Sequence, residues 1–282
     1  AMRILLTGHK GQLGRTLLPL LADHEVQGAD LPEHDITDRE GFSALARDFG
    51  PDLILHPAAM TDVEGCARDP ALAYRVNGLG TQNVALAAAE VGAELLTVST
   101  NEVFDGHAST PYHEWALRNP LNPYGRSKLA AEWYTERLLD RFYIVRTAWL
   151  YAAGGRNFPH RIIELADELG GLRVVTDEVG NPTYVEDLAE AIVQLIDTHA
   201  YGVYHLVNEG AASRHAFAQE ILRLSGRENV PLKAITLADF ERLSSPPPYA
   251  PLTNTAAAAL GIRLRPWQEA LADFLSGTGY AG

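Results

Sequence analysis

An α/β fold built on a doubly wound parallel sheet, with a smaller C-terminal substrate lobe, is predicted by three features of the sequence. Short apolar segments of strand length alternate with segments of helical periodicity or high alanine content. The connections between these segments are short, as in chains whose parallel strands are joined by crossover helices. A glycine-rich turn follows the first apolar segment and leads into the first helical pattern. This order predicts a parallel sheet with helices on both faces.

Five strands are predicted in the first half of the chain, at 3–7, 25–29, 52–55, 92–98 and 141–146. A long alanine-rich helix is predicted between the third and the fourth strand, from about 70 to 91. The same patterns predict, in chain order, a helix at 157–169, a strand at 172–176, a helix at 184–199, a strand at 201–207 and helices after 213 and at 266–275. We expect the strand at 201–207 to complete the main sheet and the proline-rich segment 244–251 to be a loop.

The glycine-rich turn reads Gly8-His-Lys-Gly11-Gln-Leu-Gly14. Glycines spaced three apart let the backbone turn tightly and approach a pyrophosphate, whose charge then lies at the helix N-terminus. Glycines also collect in ordinary turns, because they tolerate backbone conformations that other residues avoid. The position of this turn between the first strand and the first helix favours a dinucleotide site of the Rossmann type.

The residue at the end of the second strand bears on the choice of dinucleotide. Asp30 follows Gly14 by sixteen positions, and a carboxylate there accepts hydrogen bonds from the ribose hydroxyls and repels a 2′-phosphate, which favours NADH. Lys10 offers a cation to that phosphate and favours NADPH. The sequence therefore predicts NADH or NADPH, with a slight preference for NADH. Asp35 and Ile36 are expected to border the adenine, although an aspartate before a helix is as often an N-cap.

Ligands of open α/β sheets bind at the carboxyl ends of the strands. The residues predicted to bind the cofactor are Gly8, Lys10, Gly11, Gln12, Leu13, Gly14, Asp30, Leu31, Asp35, Ile36, Ala58, Ala59 and Met60, together with Tyr124 and Lys128. We predict a dinucleotide-binding domain over 1–150, to which 178–207 returns. The segments 151–177 and 208–282 are predicted to form a substrate-binding lobe that closes over the nicotinamide.

Tyr124 and Lys128 form a pair that indicates acid-base chemistry. On a helix their side chains lie one turn apart on the same face. A free tyrosine has a pKa of about 10, and an ammonium beside it favours the phenolate and brings the phenol nearer to neutral pH. Such a pair also arises by chance, but the chain contains only three lysines, which favours a required ammonium. Thr100, which follows Ser99 at the end of the fourth strand, could hydrogen-bond the same carbonyl oxygen.

The motifs together resemble those of the extended short-chain dehydrogenase/reductases, and most closely those of the dTDP-4-dehydrorhamnose reductase family. The resemblance covers most of the chain and includes, in order, the glycine turn, Thr61-Asp-Val63, Val76-Asn77-x-x-Gly80-Thr81, Tyr124-x-x-x-Lys128, Arg146-Thr-Ala-Trp149-Leu-Tyr151, Asn157-Phe158 and Gly180-Asn-Pro-Thr183. Several ordered matches in one chain are far more specific than any single motif.

The resemblance implies that NADH or NADPH reduces the 4-keto group of a nucleotide-linked 4-keto-6-deoxysugar. It implies that Tyr124 is the acid, that Lys128 assists it and binds the nicotinamide ribose, and that Thr100 orients the substrate carbonyl. The substrate-binding residues that it suggests are Asn101, Glu102, Trp149 and Asn157.

Two departures from the family pattern affect the substrate end of the site. Glu102 stands where the reductases usually have tyrosine and matches a catalytic base of sugar-nucleotide 4,6-dehydratases, but the neighbouring Asn101 cannot donate a catalytic proton. Glu102 either reshapes the sugar pocket or forms an ion pair with an arginine. Near the C-terminus, 246–252 lacks the arginine and serine of the reductases. Phosphate contacts could then come from other arginines, namely Arg156, Arg161, Arg214 or Arg263.

Two other function classes remain open. One is a different extended short-chain enzyme acting on sugar nucleotides, an epimerase or a 4,6-dehydratase, which would retain its cofactor through turnover. The other is a catalytically silent, NADP-binding regulatory subunit. A purely binding protein has no chemical need for the phenol of Tyr124, which argues against the silent protein.

Composition excludes several partners. A net charge of −13 argues against nucleic acid and anionic membranes. The single Cys66 permits no internal disulfide, which fits a reducing compartment. Neither a signal peptide nor a membrane span is apparent, so we expect a cytoplasmic protein.

No metal site is predicted, because no cluster of ligands has metal-binding spacing. A homodimer is the oligomeric state that we consider.

Overall fold

The computed structural model describes residues 1–154 and 156–280. Its strands are β1 (Arg3–Thr7), β2 (Glu25–Ala29), β3 (Leu53–His56), β4 (Glu94–Thr100), β5 (Phe142–Thr147), β6 (Leu150–Tyr151), β7 (Leu172–Val175), β8 (Val179–Gly180), β9 (Thr183–Tyr184), β10 (Gly202–His205), β11 (Ala212–Ser213) and β12 (Leu232–Ile235). Its helices are α1 (Gln12–Leu20), α2 (Arg39–Phe49), α3 (Val63–Arg68), α4 (Pro70–Ala73), α5 (Gly80–Val91), α6 (Pro123–Leu138), α7 (Phe158–Leu169), α8 (Val185–Ile196), α9 (Arg214–Leu224), α10 (Thr255–Ala259) and α11 (Trp267–Thr278). A π-helical segment at Tyr74–Leu79 joins α4 to α5, and 3₁₀ turns lie at Asn101–Val103 and Leu237–Asp239.

Six parallel strands form the central sheet, in the order β10-β5-β4-β3-β1-β2. The predicted α/β fold class is therefore confirmed, and the strand predicted at 201–207 joins the sheet as β10 beside β5. Strand β2 lies on one side of β1, whereas β3 and the later strands lie on the other. A ligand crevice opens at such a reversal of strand order, outside the carboxyl ends of the strands.

Side chains that alternate along the central strands bind helices to both faces of the sheet. In β1, Ile4 and Leu6 are fully buried and belong to the core cluster that includes residues of α1 and α8. Leu5, between them, is also fully buried and belongs to the cluster with residues of α2 and α5. Burying one such side chain contributes roughly 1.5–3 kcal/mol. The sheet is thus held between two helical layers, and its carboxyl edge is rigidly positioned.

Two predicted elements differ from the observed ones in their details. The helix expected at 70–91 is present as α4 and α5, but the chain between them is a π-helical segment. Within this segment the buried Asn77 bonds Met60 through both ends of its amide. The strand expected at 172–176 forms as β7 outside the main sheet and pairs with β12, which was not predicted. Only the last residue of β12 is buried, so its sequence lacks a recognisable apolar pattern.

The C-terminal part of the chain packs on the carboxyl side of the sheet around a group of aromatic rings. The ring of Tyr151 lies 5.8 Å from that of Phe217 and 4.9 Å from that of Phe274. The division into a dinucleotide-binding domain and a substrate lobe stays a prediction. Within 1–154 and 156–280, no helix has the length and apolar character needed to cross a membrane. The same residues contain no group of three or more His, Cys, Asp or Glu side chains that could hold a metal ion.

Candidate active site

A cleft of about 1070 Å³ lies at the carboxyl edge of the sheet, between the sheet and the C-terminal elements. Every residue predicted to bind the cofactor lines it, and so do Thr100, Asn101, Glu102 and Trp149. The structure therefore brings the dinucleotide residues, the acid-base residues and most of the expected substrate residues into one continuous cavity. Asn157 is the exception, because the structure does not place it in the cleft lining.

The glycine turn leaves room for a phosphate at the start of α1. Gly8 has a φ of +59°, and a Cβ at this position would lie 3.0 Å from the Cα of Ala58. A Cβ at Gly14 would overlap the carbonyl oxygen of Gly8. None of the described side chains caps α1, whose N-cap is Gly11, so the first N–H groups of the helix remain available to an anion. These features fit the pyrophosphate of a dinucleotide.

Asp30 lies at the adenosine end of the cleft, where its carboxylate is held by two backbone amides. The N–H of Lys10 donates to one oxygen at 3.0 Å, and the N–H of Leu31 donates to the other at 2.8 Å. The ammonium of Lys10 turns to Glu33 at 2.9 Å, a pair with more than half of the glutamate exposed. The ammonium also donates to the carbonyl oxygen of Leu31 at 2.7 Å. Because an exposed ion pair is weak, a ribose phosphate can replace Glu33 as the charged partner of Lys10. Asp30, which was expected to favour NADH, and Lys10, which was expected to favour NADPH, therefore lie side by side in the cleft.

Helix α6 carries Tyr124 and Lys128 into the middle of the cleft. Its N-cap is Asn122, whose side-chain oxygen accepts a hydrogen bond from the N–H of Gly125 at 2.8 Å, and Pro123 occupies the first helical position. The side chain of Ser127 accepts a hydrogen bond from the buried Asn77 at 3.0 Å. The first turn of α6 is therefore fixed from both sides, which restricts the position of the phenol.

The electrostatic state of the pair differs from the expectation. Burial raises the pKa of the Tyr124 phenol, the nearby carboxyl of Glu102 raises it further, and a hydrogen bond with Thr100 opposes both effects. Burial also lowers the pKa of Lys128 to about 8, against the opposing charge of Glu132. The expected lowering of the phenol pKa by Lys128 is thus wrong for this cleft, since desolvation dominates. The phenol stays protonated at neutral pH, the state that a proton donor requires.

A buried ionic network fixes α6 against the sheet. Glu132 is fully buried and accepts hydrogen bonds from Ser99 of β4 at 2.6 Å and from Arg146 of β5 at 2.8 and 2.9 Å. Arg118 adds a third partner to the same carboxylate at 2.7 Å. The charge is completely paired, as a buried carboxylate must be. Arg146 itself is absent from the cleft lining and contributes to the site through this network, whereas Thr147, Ala148 and Trp149 of the same motif line the cleft.

The substrate end of the cleft is rich in charge. The guanidinium of Arg214 lies 3.7 Å from the ring centroid of Trp149 and bonds Glu178 at 3.3 Å. Arg242 bonds the other oxygen of Glu178 at 3.3 Å. Arg156 also lines the cleft. The guanidinium groups of Arg214 and Arg242 border this end of the cleft, where they can bind the diphosphate of a ligand.

Only some of the arginines that line the cleft were predicted from the sequence. Of the four candidates, Arg156 and Arg214 line the cleft, whereas Arg161 faces Glu164 at 3.7 Å and Arg263 lines a separate small cavity. Arg242 was missed. It precedes the proline-rich loop in a region without periodicity, so only its proximity to the prolines could have drawn attention to it.

Glu102 is partly buried in the cleft beside Tyr124, and its expected ion pair with an arginine does not form. Arg214 and Arg242 bond Glu178 instead, and the carboxylate of Glu102 accepts a long hydrogen bond from the side chain of Asn122 at 3.4 Å. Burial, together with the charge of Glu178, raises the pKa of Glu102 to about 7. The other expectation, that Glu102 shapes the sugar pocket, remains compatible with its position.

Asn157 lies outside the cleft lining, and its side chain is bonded within the protein. Its side-chain oxygen accepts a hydrogen bond from the N–H of His160 and caps α7, and its amide donates to the carbonyl oxygen of Ala152 at 2.6 Å. Both ends of the side chain are thereby engaged within the protein. The geometry gives no support to its predicted contact with substrate.

Comparison with known proteins agrees with this architecture. The family model described as RmlD substrate binding domain matches residues 2–279. The dTDP-4-dehydrorhamnose reductase of Aggregatibacter actinomycetemcomitans is 37% identical over 284 residues, which cover 95% of this chain and 97% of the relative. The spore coat polysaccharide biosynthesis protein SpsK of Bacillus subtilis is 36% identical over 275 residues, covering 97% of this chain and 96% of the relative.

Solved structures agree as well. A dTDP-4-dehydrorhamnose reductase from Clostridium acetobutylicum superposes with a TM-score of 0.94 at 38% identity and covers 98% of this chain and 99% of its own. The enzyme of that name from Bacillus anthracis, solved in complex with NADP, has the same TM-score at 34% identity, with 98% and 99% coverage. The chain therefore belongs to the RmlD substrate-binding-domain family, the family of the dTDP-4-dehydrorhamnose reductases.

Proposed function

We propose that the protein is an NAD(P)H-dependent reductase that converts the 4-keto group of a nucleotide-linked 4-keto-6-deoxysugar to a hydroxyl, as a dTDP-4-dehydrorhamnose reductase does. The observation that carries this proposal is the convergence of Thr100 and Tyr124 in the cleft. They lie between the glycine turn, which fits a dinucleotide, and the arginines, which fit a diphosphate. Near-complete coverage by relatives of that name, at about 37% identity, supports the same reaction.

The residues of the chain divide the binding of two ligands between them. The glycine turn and the N-terminus of α1 hold the pyrophosphate of the cofactor, and Asp30 holds the adenosine ribose. Lys128, one turn from Tyr124, binds the nicotinamide ribose. At the other end, Arg156, Arg214 and Arg242 hold the diphosphate of the sugar nucleotide. Since the net charge of the chain is −13, these local guanidinium groups are needed to bind a doubly anionic group.

When bound, the reduced nicotinamide supplies a hydride to the keto carbon. Thr100 donates a hydrogen bond to the keto oxygen and orients it, and Tyr124 gives its proton to the same oxygen as negative charge develops there. The raised pKa of Tyr124 keeps that proton in place until the oxygen becomes basic. The protonated Lys128 stabilises the phenolate that remains, and solvent then restores the proton.

The proposal is tested by supplying the purified protein with NADH or NADPH and dTDP-4-dehydrorhamnose, and by following the absorbance of the reduced cofactor and the configuration of the product. Loss of absorbance that depends on the sugar nucleotide supports the reductase. Cofactor that co-purifies with the protein, combined with turnover that needs no added NADH or NADPH, would instead indicate an epimerase or a dehydratase. Tight cofactor binding without any turnover would indicate a regulatory subunit.

We also propose a cytoplasmic location, a nucleotide sugar as substrate with neither nucleic acid nor a membrane as partner, and a homodimer. The unpaired Cys66 is compatible with a reducing compartment, and the negative charge disfavours nucleic acid. Light scattering at several protein concentrations would measure the oligomeric state, and a monomer at all of them would refute the homodimer.

A further inference from the structure

Glu102 is an acid in the cleft that the proposed reduction does not use. It belongs to the 3₁₀ turn directly after Thr100, and its N–H donates to the hydroxyl of that threonine at 3.2 Å. Glu102, Thr100 and Tyr124 all line the cleft, where Thr100 hydrogen-bonds the phenol and the charge of Glu102 acts on it. A ligand whose carbonyl oxygen contacts Thr100 and Tyr124 therefore places its neighbouring atoms beside Glu102.

The surroundings of Glu102 leave its carboxyl able to take up a proton. Asn122 donates to one oxygen at 3.4 Å, which is long for a hydrogen bond, and none of the described residues donates to the second oxygen. The two nearest guanidinium groups, those of Arg214 and Arg242, are bonded to Glu178 instead. A buried carboxylate without a cation is a stronger base than one in water, because burial disfavours its charge. A carboxyl that serves only to anchor an arginine would have the opposite environment.

The chemistry of a ketone supplies a use for such a base. A carbonyl group makes the hydrogens on both adjacent carbons acidic, since the electrons of a broken C–H bond can move onto the oxygen. Removal of such a hydrogen needs a base beside the carbon and hydrogen-bond donors at the oxygen. The cleft offers Glu102 for the first and the hydroxyls of Tyr124 and Thr100 for the second.

We propose that Glu102 is a general base that removes a hydrogen from a carbon next to the keto group of the bound sugar, so that the protein exchanges this hydrogen with solvent. The inference rests on the proposed function, because it requires a 4-keto sugar in the cleft. The C–H bond breaks, its proton passes to Glu102, and its electron pair forms the double bond of an enolate. Tyr124 and Thr100 stabilise the charge on the enolate oxygen. Exchange of the proton on Glu102 with water, followed by the reverse step, restores the ketone, so no oxidant or reductant is consumed.

The experiment uses the full chain in D₂O with NADP⁺ and dTDP-4-dehydrorhamnose, so that the bound cofactor cannot reduce the ketone. Mass spectrometry of the recovered sugar nucleotide measures deuterium, and NMR locates it on the carbons next to the keto group. We expect exchange at least roughly tenfold faster than without protein. Glu102→Gln keeps the shape of the side chain but cannot accept a proton, so it is expected to lower the ratio of exchange rate to reduction rate at least roughly 100-fold, by the usual contribution of a general base.

Two further variants complete the test. Glu168→Gln makes the same chemical change on an exposed position of α7 and is expected to leave both rates unchanged. Glu102→Asp keeps a carboxylate but withdraws it by one methylene group, and it replaces Glu102→Gln if the latter does not bind NADP⁺. We expect this variant to lose exchange more than reduction.

The possible results separate this inference from the proposed function. Reduction of the ketone with NADPH but no exchange above the rate without protein overturns the inference and leaves the reductase intact. Unchanged exchange in Glu102→Gln overturns it as well, because another group is then the base. If the protein binds NADP⁺ but shows neither reduction nor exchange, both proposals fail.

Discussion

Replacing Glu102 by glutamine is expected to change the pH dependence of stability. The pKa of this carboxyl is about 7 in the folded protein, against an ordinary value of 4.5. Because the pKa is raised in the folded state, the stability that the carboxyl contributes is fully present below about pH 4.5 and is lost as the pH rises through about 7. Glutamine carries no charge at any of these pH values. The free energy of unfolding of Glu102→Gln should therefore increase relative to that of the wild type as the pH rises.

The magnitude follows from the two pKa values. Each pKa unit corresponds to about 1.4 kcal/mol, so the relative gain of the glutamine variant between pH 5 and pH 8 is about 2–3 kcal/mol. Urea denaturation of the cofactor-free protein at both pH values measures it. Glu168→Gln, which removes an exposed carboxylate, serves as the control and should show little change. If the free energies of unfolding of Glu102→Gln and of the wild type differ by the same amount at both pH values, the raised pKa of Glu102 in the folded protein is refuted.

Three further predictions concern the acid, the phosphate turn and the buried network. Tyr124→Phe should lower turnover by roughly 10²–10⁴ while NADPH binding, measured by fluorescence titration, stays nearly intact, and unchanged turnover would place the acid elsewhere. Gly14→Ala should weaken NADPH binding roughly tenfold or more, because its Cβ overlaps the carbonyl oxygen of Gly8, and wild-type affinity in the same titration would contradict the tight turn. Glu132→Gln should lower the free energy of unfolding by about 3–5 kcal/mol in urea, since it leaves Arg146 buried without its charge partner, and a loss below 1 kcal/mol would show that the network relaxes.

The elements of the fold that were predicted correctly are those that residue patterns local in the sequence specify. Most strands of the main sheet are short apolar runs, and the helix α7 begins directly after Asn157, its N-cap. The glycine turn depends on steric demands that only glycine meets, so its position was readable from residue type alone. In contrast, β12 has two exposed residues in four and no period, and its pairing with β7 joins positions about sixty residues apart. No local pattern encodes that contact.

The same distinction applies within the site. Tyr124 and Lys128 were identified from the sequence because their spacing along the helix is local. The directions of their pKa shifts were not predicted, because burial by elements distant in sequence is the largest cause of both shifts. The motif match at Asn157 predicted a binding role and did not predict that its side chain caps α7 and bonds Ala152, so its contact with substrate stays a prediction.

The charges at the substrate end show how contacts remote in sequence determine chemistry. Glu178 lies between Arg214 and Arg242 and bonds both at 3.3 Å, although the three residues come from separate parts of the chain. Burial raises the pKa of Glu102 and the charge of Glu178 raises it further, and the two guanidinium groups, which bond Glu178, lower it only in part. A bound diphosphate would compete with Glu178 for the same arginines, since phosphate oxygens are strong acceptors. The protonation state of Glu102 is therefore coupled to the occupancy of the diphosphate site, and a substrate without its diphosphate should leave this part of the cleft in a different electrostatic state.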